Sequence, residues 1–230
     1  MDPGEALRSV RARELADALT VDGMPEPAPG RIGLLAGSFD PPTTGHVSLA
    51  EAGLRSGLDV VVLVYSVATL PKEPGAEPPL LTEDARVRAL SRLARRPGLA
   101  SGLTSSGLLV DQVAGARRRW PTAYLTALLG SDKVLQLLDP RWYADRDAAL
   151  DRLVAEADVR FAARSGAEDL VTSLLARPEH ERWAGRFTRL RVAAEAAAIS
   201  SGEVRRRHRR GEDITALVPP EVLPLPATGP

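Results

Sequence analysis

The chain has 230 residues, 44% of them hydrophobic and 26% charged, the proportions of an ordinary globular protein with a sizeable core. Thirty Lys and Arg balance thirty Asp and Glu, which excludes a global field that draws the chain to nucleic acid and leaves only local basic runs. The absence of cysteine excludes disulfides, thiolate metal sites and a cysteine nucleophile.

Leu7, Val10, Leu15 and Leu19 outline a weakly amphipathic first helix, and MPEPAPG separates it from the main body of the chain. Residues 1–30 are therefore expected to form a helical appendage and linker, either docked or partly mobile. This segment lacks the apolar core of a secretion signal, and no apolar run is long enough to cross a bilayer. A cytoplasmic location without membrane contact is the expectation. From Arg31 the pattern changes to short apolar runs, IGLLAG, LDVVVLVYS, AYLTALLG and ADVRFAA, each ending in small residues before a polar stretch. Helical periodicity falls between and after them, over residues 47–56, 82–95, 108–120, 133–138 and 146–156, with a last helix after residues 199–201. Alternation of this kind predicts an α/β fold, a Rossmann-like doubly wound parallel sheet with helices on both faces. The main domain is expected over residues 31–222 and a loose tail over 223–230.

Ligands of such sheets bind beyond the carboxyl ends of the strands. There the first apolar run delivers the chain into GSFDPPTTGH, residues 37–46. Gly37 and Gly45 relieve the backbone of a Cβ, so main-chain N–H groups can approach a ligand. His46 opens the next helix, at the positive end of its dipole, where an anion is stabilised. Thr43 and Thr44 add hydroxyls. A histidine that merely caps a tight turn is the bland alternative, disfavoured by the strand–turn–helix setting. A second segment, ISSGEVRRRHRRG at residues 199–211, places Ser200 and Ser201 at a helix start with arginines behind them.

Together these segments resemble the paired signatures of the HIGH-type nucleotidylyltransferase superfamily, and more narrowly of bacterial nicotinate or nicotinamide mononucleotide adenylyltransferases. The LVPPEV after the second segment, the Pro71-Lys72 pair, VDQVAGARRRWP with AYLTALLGSDK, and RWYADRDAALDRLVAEADVRFAARSG are similar to further landmarks of that family. The likeness covers roughly residues 31–222.

The resemblance implies displacement at the α-phosphorus of ATP by a phosphate oxygen of an acceptor, with pyrophosphate leaving. It implies that His46 stabilises charge on the α-phosphate, with Arg205 and Lys72 as further catalytic candidates. Gly37, Ser38, Phe39, Thr43 and Gly45 would contact the nucleotide, and Ser200, Ser201 and Arg205 would hold the β and γ phosphates. Arg205 is otherwise one more solvated charge of a basic run, and Lys72 an exposed lysine of a Pro-rich loop. On the acceptor side the candidates are Asp132, Trp142, Ser105 and Arg164. Asp132 and Gly130 also suit a helix cap, and Trp142 also suits the core. Mg²⁺ is expected to arrive with ATP, with no protein metal ligands. The partners implied are ATP and a phosphorylated small molecule, with a homo-oligomer left open.

Three positions depart from the family pattern. Thr43 replaces the first histidine of HxGH, Gly202 replaces a hydroxyl residue of the second signature, and TSSGLLVDQ stands in place of a Ser-Tyr-Thr element near the acceptor. The alternatives are therefore nucleotidyl transfer to another phosphate, such as phosphopantetheine or a specialised metabolite, or a non-catalytic nucleotide-binding regulator on the same fold.

Overall fold

The computed structural model describes residues 3–12, 19–68, 78–163 and 168–225. Its seven strands are β1 (Thr20–Asp22), β2 (Arg31–Gly37), β3 (Val60–Ser66), β4 (Leu99–Thr104), β5 (Tyr124–Gly130), β6 (Ala157–Ala162) and β7 (Phe187–Arg189). They form one sheet in the order β1-β4-β3-β2-β5-β6-β7, parallel throughout except for β1 on β4. From the central β2 the chain first winds outward through β3 and β4, then returns to place β5 on the other side of β2. The strand order thus reverses between β2 and β5, and the crevice beyond their carboxyl ends is where a doubly wound sheet takes a ligand.

The helices are α1 (Pro3–Ala12), α2 (Thr44–Arg55), α3 (Glu83–Leu93), α4 (Leu109–Arg119), α5 (Ser131–Leu138), α6 (Arg146–Glu156), α7 (Glu168–Leu175), α8 (Glu181–Ala184), α9 (Ala194–Ala198) and α10 (Ser201–Arg209). β3, VVVLVYS, is buried at every position because helices cover both faces. Its Val60, Val62 and Val64 join a core with Val113 of α4 and Leu150 of α6. Val61, Leu63 and Tyr65 point the other way, into a core with Leu49 of α2 and Leu90 of α3. The two-residue period of the strand divides one apolar run between two layers.

The ends of α4 and α6 are tied by Arg117. Its Nε meets Glu156 Oε2 at 2.7 Å, Nη2 donates to the Glu156 carbonyl at 2.7 Å, and Nη1 donates to the Ala123 carbonyl at 2.8 Å. This guanidinium satisfies carbonyls that α6 and the turn into β5 would otherwise leave bare. Arg117→Ala is expected to lower stability by about 1.5–3 kcal/mol, the usual range for hydrogen bonds to a charged group, read as a shift of the urea unfolding midpoint.

Three strands lie where no strand was expected. β4, LASGLT, has Ser, Gly and Thr in place of a β-branched run, because its neighbours fill the space. A Cβ on Gly102 would stand 2.9 Å from Val62 Cγ1 and 3.1 Å from Leu19 Cδ1. β1 and β7 have three residues each, too few to show a period. β1 also alters the picture of residues 1–30: it extends the sheet, and Ala6 and Leu19 enter the two cores. Leu19, assigned to the first helix, lies beyond α1 and next to β1. Leu223 and Leu225, expected in a loose tail, pack partly buried against the core. Among the described residues no helix is long and apolar enough to cross a membrane.

Candidate active site

β2 ends at Gly37, and the chain then turns sharply. Phe39 takes a left-handed backbone (φ 45°) and is fully buried, a conformation uncommon outside glycine. Its ring folds back so far that a Cβ on Gly37 would lie 3.0 Å from Phe39 Cζ. That contact explains the glycine. Asp40 and Pro41 follow through a cis peptide bond.

Thr43 caps α2 and fixes His46. The Thr43 hydroxyl accepts from the His46 amide at 3.3 Å, while the Thr43 amide donates to His46 Nδ1 at 3.0 Å. A backbone N–H can only donate, so Nδ1 is an acceptor and the neutral ring carries its proton on Nε2. The Phe39 ring packs against the imidazole at a centroid distance of 5.0 Å. An anion at this helix start therefore meets a ring whose rotamer and tautomer are both set by its own capping box.

Asp40 lies at the centre of the turn with no exposed surface. Its Oδ1 accepts from the amides of Leu80 at 3.0 Å and Leu81 at 2.7 Å. Its Oδ2 stands 3.4 Å from a guanidinium nitrogen of Arg86 and 3.4 Å from one of Arg205. Arg205 also donates to the Asp40 carbonyl at 2.6 Å, and Ser201 donates to the Pro41 carbonyl at 2.8 Å. Two guanidiniums around one carboxylate leave this point of the turn a net positive charge. Ser200 caps α10, accepting from the Glu203 amide at 3.1 Å.

The start of α2 lies against the approach to α10. A Cβ on Gly45 would stand 2.7 Å from the Ala196 carbonyl and 3.0 Å from that of Ile199. Both obstacles are backbone, so Gly45→Ala must push the two segments apart. The expected cost is about 1–3 kcal/mol, typical of overpacking, visible as a lower denaturation midpoint.

A cleft of about 640 Å³ opens beside the turn, at the crevice between β2 and β5. Gly37 and Ser38 form one side; Asp132, Lys133, Trp142 and Tyr143 form another; Gln112 lies against its floor. Burial, with Asp111 and Asp139 nearby, pushes the Tyr143 phenol up to about 12, so it remains a protonated donor. At the rim Arg141 pairs with Asp139 at 2.7 Å and lies over the Trp142 ring, 5.9 Å from its centroid.

The expected site residues thus fall into two adjoining groups. Gly37, Ser38, Asp132 and Trp142 share the cleft, whereas Thr43, Gly45, His46, Ser200, Ser201 and Arg205 gather around Asp40 and Pro41. Ser105 follows β4 and is not among the residues lining the cleft. Phe39 and Thr43, expected to touch nucleotide, are buried; the Thr43 hydroxyl is engaged with His46, and Phe39 packs beneath it. The Arg205 guanidinium is turned inward to Asp40 and is 6% exposed. Lys72 and Arg164 lie outside the described residues. Asp40, Arg86 and Gln112 were not singled out in the sequence. For Asp40 a signal was available, an aspartate inside the signature itself; for the other two there was none.

Comparison with known proteins gives concordant matches. A cytidylyltransferase-like family model matches residues 34–207. A probable nicotinate-nucleotide adenylyltransferase of Gemmatimonas aurantiaca is 31% identical over 205 residues, covering 84% of this chain and 87% of the relative. One of Pelobacter propionicus is 30% identical over 210 residues, covering 84% and 93%. Among solved structures, Plasmodium falciparum nicotinic acid mononucleotide adenylyltransferase complexed with NaAD shares the fold, with a TM-score of 0.57 at 16% identity, covering 84% of this chain and 92% of that one.

Proposed function

The chain belongs to the cytidylyltransferase-like family, and from that premise we propose that it transfers the adenylyl group of ATP to a nicotinate or nicotinamide mononucleotide. The products are a dinucleotide and pyrophosphate. The observation that carries this reading is the locking of two distant segments into one site: Ser201 bonded to Pro41, and Arg205 to Asp40, beside a cleft at the strand-order reversal.

The acceptor's phosphate is largely dianionic at neutral pH, its second pKa being about 6. Its oxygen attacks the α-phosphorus directly, the bond from that phosphorus to the bridging oxygen breaks, and pyrophosphate carries away the electron pair. No enzyme nucleophile or general base is needed; what the protein supplies is alignment and charge stabilisation. His46 donates from Nε2 to an α-phosphate oxygen, where negative charge builds in the transition state. The amides of the Gly37–Ser38 turn, Ser200 at the start of α10, and the net positive charge around Asp40 serve the β and γ phosphates. Arg205 and Arg86 act here as positioning residues that hold the turn in shape, and Lys72 remains a candidate contact to phosphate. The cleft takes the acceptor, with Trp142 against its ring and Asp132 at its ribose. Ser105 and Arg164 remain candidate acceptor contacts.

Mg²⁺ would ride on the triphosphate oxygens and neutralise part of their charge. Among the described residues no group of three His, Asp or Glu is placed to hold an ion, and the net positive charge around Asp40 suits phosphate.

The experiment is pyrophosphate release from ATP with each pyridine mononucleotide and with a panel of other phosphorylated acceptors. Turnover with a pyridine mononucleotide is the expected result. Turnover confined to other acceptors would replace the acceptor, and tight ATP binding without turnover would replace the reaction.

A further inference from the structure

Lys133 is the third residue of α5 and lines the cleft together with Gln136, one turn further along the same helix. Its Nζ donates to Gln136 Oε1 at 2.6 Å, and that hydrogen bond is exposed, so the ammonium is open to a molecule in the cleft. Gln136 is neutral. Among the described residues the acidic side chain that acts on Lys133 is Asp132, its neighbour in the chain, and the two form no ion pair. Desolvation by the protein around it outweighs Asp132 and lowers the Lys133 pKa below its ordinary value. A cation in the first turn also opposes the helix dipole. The stability of α5 therefore gives no reason for a lysine at this position, and two of its three N–H donors are left for a ligand.

The register of the sheet indicates which anion that ligand presents. Leu35 of β2 pairs with Leu128 of β5, and each strand runs two residues further, so they end level with one another at Gly37 and Gly130. α5 starts at the next residue, and its first turn therefore lies beside Gly37 and Ser38, which line the same cleft. The apolar and aromatic walls, Leu108, Leu109, Trp142 and Tyr143, come from the start of α4 and from beyond the end of α5. A pyridine mononucleotide lying along the cleft puts its ring among those walls and its phosphate at the turn, where the α-phosphorus of ATP is to be met. Charge agrees with this placement. The ring, bonded through nitrogen to ribose, is a pyridinium that a lysine alongside would repel, whereas the phosphate attracts it.

We propose that Lys133 is a substrate-binding residue that pairs with the acceptor's phosphate and holds its attacking oxygen toward the α-phosphorus. This assignment rests on the reading of the cleft as the acceptor pocket of an adenylyltransferase. The ammonium donates to the oxygens that do not attack and keeps its proton throughout. It also offsets the repulsion between the incoming phosphate and the triphosphate. It acts in the same way whichever substituent the ring carries, so Lys133 sets affinity for the mononucleotide and leaves the choice between carboxamide and carboxylate to the other end of the cleft.

The test is steady-state kinetics of dinucleotide formation from nicotinate and from nicotinamide mononucleotide, for the unaltered chain, Lys133→Met and Lys133→Arg. Lys133 is exposed, so both substitutions leave the core untouched. Lys133→Met should raise the KM of each mononucleotide that the unaltered chain uses by about 10-fold or more, the factor expected for a lost hydrogen bond between charged groups. The KM for ATP should change much less. Lys133→Arg should recover most of that loss, since a guanidinium also pairs with phosphate. Inhibition by nicotinamide riboside, which lacks the phosphate, should be the same for Lys133→Met as for the unaltered chain. An unchanged mononucleotide KM overturns the assignment and leaves adenylyl transfer standing. So does a loss confined to the nicotinate form where both are used, which would place the ammonium at the ring carboxylate, or a loss shared equally by the riboside, which would make Lys133 a residue that only shapes the pocket. Formation of neither dinucleotide by the unaltered chain overturns adenylyl transfer to pyridine mononucleotides, and the assignment with it.

Discussion

Replacing His46 by alanine is expected to lower kcat by about 10²–10³-fold, the range for loss of one preorganised donor to a developing charge, with a much smaller change in ATP affinity. The expectation follows from where the imidazole is held. Nδ1 is taken by the Thr43 amide, the ring is backed by Phe39, and Nε2 carries the proton. Such a donor is aligned before ATP arrives, so little ordering is required at the moment of reaction. In the proposed site ground-state ATP is held mainly through its β and γ phosphates, and binding should change little. The checks are steady-state kinetics beside a calorimetric Kd for ATP. A loss of ATP affinity with kcat unchanged would mean that His46 binds ground state and transition state alike and would remove it from the chemistry. His46→Asn, with a side-chain donor of different reach, should fall between the two.

The second large effect is on the turn itself. Asp40→Asn is expected to destabilise the fold by about 3–5 kcal/mol, as when one partner of a buried ion pair is removed. Asp40 is wholly buried, and Arg86 and Arg205, at 6% exposure each, would be left facing one another without an anion between them. With the amide oxygen kept at the Leu80 and Leu81 amides, the new –NH₂ group would face the two guanidiniums in place of an anionic acceptor. Urea unfolding monitored by tryptophan fluorescence measures the loss. A destabilisation below about 1 kcal/mol would place the pair in the class of solvated surface bridges. Adding Arg86→Met to Asp40→Asn should recover part of the stability, because one of the two unbalanced cations is gone; a purely additive further loss would show that Arg86 and Asp40 are not coupled.

Much of the fold was readable in the chain. β2, β3, β5 and β6 coincide with the four apolar runs, and α6 spans Arg146–Glu156, the residues its periodicity marked. These elements are buried on predictable faces, so composition and period report them. β4 was not readable, since its Gly102 is dictated by Val62 and Leu19, residues from elsewhere in the sequence. α2 begins at Thr44 rather than at residue 47, because the Thr43–His46 capping box draws the signature's end into the helix. The same box shows that Thr43 acts on His46, a role its position in the motif did not reveal.

By itself the sequence determined the kind of chemistry: a glycine-bounded turn after a central strand, a histidine at a helix start, and a serine-capped basic helix far along the chain. Those are local properties, set by residue type and spacing, and they belong to the sequence whatever the rest of the chain does. Only the tertiary structure decided how they combine. It brought α10 to the turn through Asp40 and Pro41, turned Arg205 inward, and buried the Gln112 amide with its nitrogen bonded to the Ser106 carbonyl. The reason is physical: a buried polar atom is defined by which partners reach it, and those partners come from segments that meet only when the sheet closes.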